Sequence, residues 1–186
     1  MIIGITGTMA AGKGVASDYL KTKGFEYFSY SDILRKIAHE RGIEPIRQNL
    51  QKLGNTIKEE AKNQGILSKK ILEAATTSRV VAEGIRNPPE TREFRKAKDF
   101  HLLAIVAPPA MRYKRILSRG RHGDPATFAA FKRLDASENR GATRGQQVNR
   151  CIAMADVVIE NTGTIGEFHK KIDDALAAME GSAQNK

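Results

Sequence analysis

Five short apolar runs, each followed by residues whose apolar positions recur at helical spacing, set the rhythm of this chain. The runs are Ile2–Ile5, Phe25–Tyr30, Arg79–Glu83, His101–Val106 and Asp156–Glu160. Each is continuous and not alternating, the pattern of a strand covered on both faces in a parallel sheet. Helices are predicted over Val15–Leu20, over Ser31 to Gly42 with Ser31 as N-cap and Asp32 in its first turn, and from Pro45 to Gly65. The last carries Leu50, Leu53, Ile57 and Ala61 on one face. Further helices are predicted over Ser68–Thr77, Glu90–Lys98, Met111–Ser118, Pro125–Leu134, Asn149–Met154 and Thr164–Met179, with a frayed tail from Gly181 to Lys186. The alternation predicts an α/β domain with a roughly five-stranded parallel sheet and helices on both faces.

The first run leads at once into Gly7-Thr8-Met9-Ala10-Ala11-Gly12-Lys13-Gly14, and a helix follows. Strand, glycine-rich loop and helix in that order is the context of a phosphate-binding P-loop (Walker A). Glycines let successive backbone N–H groups turn inward, the helix N-terminus adds partial positive charge, and Lys13 adds a full one. The strict pattern has Ser or Thr after the lysine; this chain has Gly14. A glycine-rich turn that binds nothing is the alternative, and the agreement of spacing, lysine and flanking elements weighs against it.

Composition narrows the picture. The length of 186 residues fits one domain. Cys151 is the single cysteine, so no internal disulfide is possible, which suits a reducing compartment. No apolar run approaches the roughly 18 residues needed to span a membrane. The first run has no basic region before it and is broken by Gly4 and Gly7, so no signal peptide is expected and a cytoplasmic location is. The formal charge is +10. Between Arg112 and Arg150 stand ten Lys or Arg against Asp124, Asp135 and Glu138, a net of +7, and eight of the ten are arginines. Arginine grips phosphate through paired hydrogen bonds, so this segment suits a polyphosphate clamp. Its few aromatics weaken a base-stacking RNA surface. RNA binding is not the favoured reading. His39, His101, His122 and His169 share no ligand spacing.

Ligands in parallel sheets gather where the strands end. The loops after the five runs hold Gly7–Gly14; Ser31, Asp32 and Arg35; Glu83, Arg86 and Asn87; Arg115, Arg119, Arg121 and Arg133; and Asn161-Thr162-Gly163. Glu83, an acid at the end of an apolar strand, is costly to bury unless it is paired or serves a metal.

These residues resemble the nucleoside monophosphate kinase group of P-loop kinases, with adenylate kinase the best-known member, over most of residues 2–178. Gly12-Lys13-Gly14 is similar to that family's loop, in which Mg²⁺ is held largely through water. Ser31-Asp32-Ile33-Leu34-Arg35 resembles T-G-D-x-x-R, Glu83-Gly84-Ile85-Arg86 is similar to D-G-F-P-R with the arginine one residue early, Arg115 to Arg119 resembles R-x-x-x-R, and Lys132-Arg133-Leu134 resembles K-R-L. A second likeness is to dephospho-CoA kinases, through Gly4-Ile5-Thr6-Gly7 and Ala155 to Thr164. Glu83 to Pro88 also resembles nucleotide-kinase-like proteins of archaea and of phage-type deoxynucleotide metabolism.

The resemblance implies a three-layer P-loop kinase fold with a core of residues 1–44, 79–118 and 150–180. A helical acceptor-binding insertion would span 45–78, and an Arg-rich lid 119–149. It implies ATP as donor, bound by Gly7, Thr8, Met9, Ala10, Ala11, Gly12, Lys13, Gly14, Val15, Arg115, Asn161, Thr162 and Gly163. Lys13, Arg86, Arg119 and Arg133 would be catalytic, and Ser31, Asp32, Arg35 and Arg86 would hold the acceptor. Glu83, with Asp32 through water, would serve Mg²⁺. The acceptor expected is a nucleoside monophosphate. Dephospho-CoA is the alternative, and a nucleotide-gated ATPase or RNA-binding module is the competing class.

Overall fold

The computed structural model describes residues 1–120, 123–140 and 146–183. Arg121, His122 and Arg144 lie outside the described residues. The elements in order are β1 Ile2–Gly7, α1 Lys13–Thr22, β2 Glu26–Ser29, α2 Tyr30–Glu40, α3 Arg47–Glu60, α4 Ile66–Ala74 and β3 Val80–Glu83. There follow α5 Pro88–Phe94, β4 Phe100–Val106, α6 Pro109–Arg119, α7 Phe128–Asn139, α8 Val148–Ala153, β5 Val157–Glu160 and α9 Ile165–Ala183. The five strands form one sheet in the order β2-β3-β1-β4-β5, every pairing parallel.

Strand alternation divides the core into two apolar layers. Ile3, Ile5, Val81, Leu103 and Ile105 point to one face, where they pack against Ala16 and Leu20 of α1 and Phe168 and Ile172 of α9. Val80, Ala82 and Leu102 belong to the other layer, with Leu53, Ile57, Leu67 and Ile71 from α3 and α4 and with Cys151 of α8. Each fully buried Leu, Ile or Phe contributes roughly 1.5–3 kcal/mol, so these two layers hold the three-layer architecture together. A smaller third cluster joins Met9 of the glycine-rich loop to Ile116 of α6 and Phe131 of α7. Among the described residues no helix is long and apolar enough to cross a membrane.

Three local expectations change. The turn into α2 comes earlier than the composition suggests: Ser29, not Ser31, is the N-cap, its hydroxyl accepting from the Asp32 N–H at 3.3 Å. Tyr30 therefore opens the helix and does not close the strand. The runs around β2 and β5 are edge strands, so they are not buried on both faces; Val158 is 53% exposed and Ile159 is the residue β5 buries. The final helix continues past Gly181 to Ala183, into the predicted tail, whose remaining residues lie outside the described ones.

Candidate active site

The glycine-rich loop is shaped by contacts that leave no room for side chains. At Gly7 the backbone takes φ +136°, and a Cβ there would stand 1.9 Å from the Ile105 carbonyl oxygen. At Gly12, the N-cap of α1, φ is +111° and a Cβ would meet Asn161 Nδ2 at 2.4 Å. Gly14 differs, since a Cβ there would meet nothing within 4 Å. The absent hydroxyl is thus a feature of the sequence and not a demand of packing.

Lys13 folds back over the loop. Its Nζ donates to the carbonyl oxygens of Gly7 and Thr8, each at 2.9 Å. An ammonium has three protons, so this anchoring fixes its place and leaves one donor for a ligand. Burial, and behind it the positive charge of Arg86, pushes its pKa down to about 7. The Thr8 hydroxyl is buried with no hydrogen-bond partner, an unmet donor within the same loop. Both features suit a loop completed by a polyanion.

Arg115 and Asn161 brace the loop from outside. Asn161 Nδ2 donates to the Ala11 carbonyl at 2.8 Å, and Arg115 reaches the same oxygen at 3.2 Å and the Asn161 carbonyl at 2.9 Å. Asn161 is only 7% exposed. These donors face the loop backbone, whereas Thr162 and Gly163 are exposed beyond it.

Glu83 ends β3 beside Ile5 and Ser29 in register. Its Oε2 accepts from Tyr27 Oη at 3.0 Å and from Ser17 Oγ at 3.3 Å. Desolvation, and then the Glu83 charge, raise the Tyr27 pKa, and the Asp32 carboxylate adds to the same effect. Among the described residues no group of three acids, histidines or cysteines forms a metal cage. One strand-end carboxylate with a hydroxyl beside it fits an ion such as Mg²⁺, which is held chiefly by phosphate oxygens and water.

Beyond Glu83 the chain turns at Gly84, and the N–H groups of Gly84 and Ile85 both donate to the Ile5 carbonyl. Arg86 then enters a cavity of about 710 Å³ framed by α2, α3, this turn and the end of α6. Ser31, Arg35, Arg86 and Arg119 all line it. Arg86 donates to Gln146 Oε1 at 3.0 Å, and burial lowers its pKa. Arg35 pairs with Asp32 at 2.8 Å, and Arg119 grips Asp124 through two bonds of 2.8 and 2.7 Å. Lys13, Asp32, Glu83 and Arg133 are not among the described lining residues. Arg133 is exposed on α7.

Arg112 was not among the predicted site residues. Only 3% exposed, it donates to the carbonyl oxygens of Ala107 (2.8 Å) and Met9 (3.1 Å) and to both oxygens of Asp135 (2.6 and 2.8 Å). It thereby ties α7 to the glycine-rich loop. The faint signal was an acid, Asp135, set in a basic segment one turn from the buried Phe131.

Residues 3–140 match the AAA domain family AAA_18. A UPF0200 protein of Hyperthermus butylicus is 31% identical over 183 residues, covering 97% of this chain and 96% of that one. A UPF0200 protein of Sulfurisphaera tokodaii is 32% identical over 176 residues, with 94% and 95% covered. Among solved structures, shikimate kinase from Acinetobacter baumannii in complex with shikimate superposes with a TM-score of 0.62 at 13% identity, covering 95% of this chain and 93% of that one. At that identity the likeness establishes a P-loop kinase-like fold and leaves the acceptor open. The full-length relatives and the AAA domain match together place the chain in the UPF0200 family, to which it belongs.

Proposed function

We propose that this protein is an ATP-dependent phosphotransferase whose acceptor is a nucleotide, above all a (deoxy)nucleoside monophosphate. The observation that carries the reading is the cavity of about 710 Å³, a size typical of small-molecule sites, lined by arginines from three separate elements. Arg35 comes from α2, Arg86 from the turn after β3 and Arg119 from the end of α6. Arginines brought together from distant parts of a chain at a strand-end cavity suit an acceptor that carries phosphate.

Phosphoryl transfer depends on positioning and charge neutralisation more than on covalent steps by the protein. The amides of Ala11, Gly12 and Gly14 would hold the donor's β- and γ-phosphates, and Lys13 would direct its third proton to them. Mg²⁺ arriving with ATP would neutralise charge on the phosphate oxygens, with Glu83, oriented by Ser17 and Tyr27, and then Asp32 holding its waters. Arg86 and Arg35 would orient the acceptor phosphate, and Arg119 would exchange Asp124 for the developing charge. Arg133 would have to swing in with α7, against the Arg112–Asp135 pair and the buried Phe131, so Arg119 is the better candidate for that task.

A hydroxyl acceptor such as dephospho-CoA benefits from a general base, and Asp32 is the carboxylate for it. Its side chain is 61% exposed and committed to Arg35. That placement favours an acceptor that is already anionic. A coupled ADP-release screen across ribo- and deoxynucleoside monophosphates plus dephospho-CoA tests the reading. Turnover with at least one monophosphate is expected. Slow ATP hydrolysis indifferent to every acceptor would favour an ATPase instead.

A further inference from the structure

Part of the cavity lining comes from α3, whose residues Gln48, Gln51, Asn55 and Lys58 all border it. Positions 51, 55 and 58 share one helix face, beside the stripe of Leu53 and Ile57 that enters the core. The amides can turn either a donor or an acceptor to a ligand, so they do not impose a polarity. Lys58 can only donate. It is 7% exposed, and its Nζ bonds Glu90 Oε1 at 2.6 Å, its single hydrogen-bond partner among the described residues.

Glu90 has little left to offer a ligand. Oε1 also accepts from Asn87 Nδ2 at 3.3 Å, and Oε2 accepts from the N–H groups of Arg86 at 2.9 Å and Asn87 at 3.2 Å. Four donors match the roughly four lone-pair directions of a carboxylate. The ion pair is also neutral as a unit, so it has no excess charge for a second anion. With one bond to Glu90 among the described residues, the buried Lys58 ammonium keeps donors that a ligand in the cavity can use.

Resting on the nucleotide reading above, we propose that Lys58 reads the acceptor's base and selects one with a carbonyl oxygen over its amino counterpart. A carbonyl accepts the spare proton, whereas an exocyclic amine sets donor against donor and leaves a buried ammonium proton unmet. Sites that pair a buried polar group with a ligand atom reject the mismatched ligand far more strongly than apolar pockets reject a changed shape.

The test uses the full chain, a non-hydrolysable ATP analogue and two ligand pairs: inosine against adenosine monophosphate, and uridine against cytidine monophosphate. Calorimetry is expected to show the oxo member of at least one pair binding about tenfold tighter or more. Lys58→Met is expected to reduce that preference to about twofold or less, with ribose 5-phosphate binding unchanged. Thermal unfolding checks that the variant is folded, and Lys58→Met with Glu90→Gln removes both charges should the single change unfold it. Equal or tighter binding of the amino member in both pairs overturns the proposal, as does a preference that survives loss of Lys58. Turnover of monophosphates without an oxo preference sinks this inference alone. Failure of every monophosphate to bind removes the nucleotide reading and this inference with it.

Discussion

Lys13 is held in two ways that determine how it responds to a ligand. Two carbonyl oxygens fix its ammonium at 2.9 Å, while burial and Arg86 lower its pKa to about 7. In the free protein at pH 8 most molecules therefore carry a neutral amine. A polyphosphate beside it favours the charged form, so ATP binding at pH 8 should take up close to one proton, and affinity should fall as pH rises above about 7. Calorimetry in buffers of different ionisation enthalpy reads this directly, and a heat independent of buffer contradicts it. At the neighbouring acid, Tyr27→Phe should raise the Mg²⁺ concentration needed for half-maximal turnover by a few-fold, because Glu83 loses the hydroxyl that orients it. The placement of Lys13 after the glycine-rich loop and of Glu83 at the end of β3 was legible in the sequence. Tyr27 and Arg112 were not, because their roles come from β2 lying beside β3 and from α7 folding back on α6, contacts that no local spacing encodes.

At the scale of elements, the segment expected to be a lid divides. Its α7 is anchored by the buried Phe131 and by the bidentate Arg112–Asp135 pair. Removing one partner of a buried pair leaves the other charge uncompensated, so Asp135→Ala should cost about 3–5 kcal/mol in chemical denaturation. A loss below about 1 kcal/mol would show that the tie is weak, as it is for exposed pairs. The glycine-rich loop offers the converse. Gly14→Ser meets open space and should leave stability within about 0.5 kcal/mol. Gly7→Ala forces a Cβ against the Ile105 carbonyl and should unfold or severely destabilise the protein. The strands and most helices could be read from continuous apolar runs and helical spacing. The errors fall where tertiary position decides: the cap at Ser29, and the half-exposed edges β2 and β5.

Across the whole molecule, the parallel order β2-β3-β1-β4-β5 puts the glycine-rich loop, Glu83 and Arg86 at the carboxyl ends of the neighbouring interior strands β1 and β3. Residues of α2, α3 and α4 line the cavity that Arg86 enters, and this polar lining could be read as residue types but not as a site. Of the expected acceptor group, Ser31, Arg35 and Arg86 line one cavity together with Arg119, whereas Asp32 is not among its described lining residues and Arg133 stands on an exposed helix face. Asp32→Asn separates the acceptor classes. Transfer to a monophosphate should fall no more than about tenfold, while a hydroxyl acceptor that needs a base should lose a hundredfold or more. The charge of +10 leaves RNA association as a competing use of the surface. Salt-sensitive RNA binding that persists in Lys13→Ala alongside acceptor-independent ATP hydrolysis would favour it.

In the proposed reaction phosphate leaves ATP on the Lys13 loop for a nucleotide in the arginine-lined cavity. Incubating the protein with γ-labelled ATP and a panel of nucleoside monophosphates, then separating the products, measures that transfer. The predicted result is label in a nucleoside diphosphate, reduced about a hundredfold or more by Lys13→Ala. Label appearing only as free phosphate, or transfer undiminished in Lys13→Ala, would rule this reaction out.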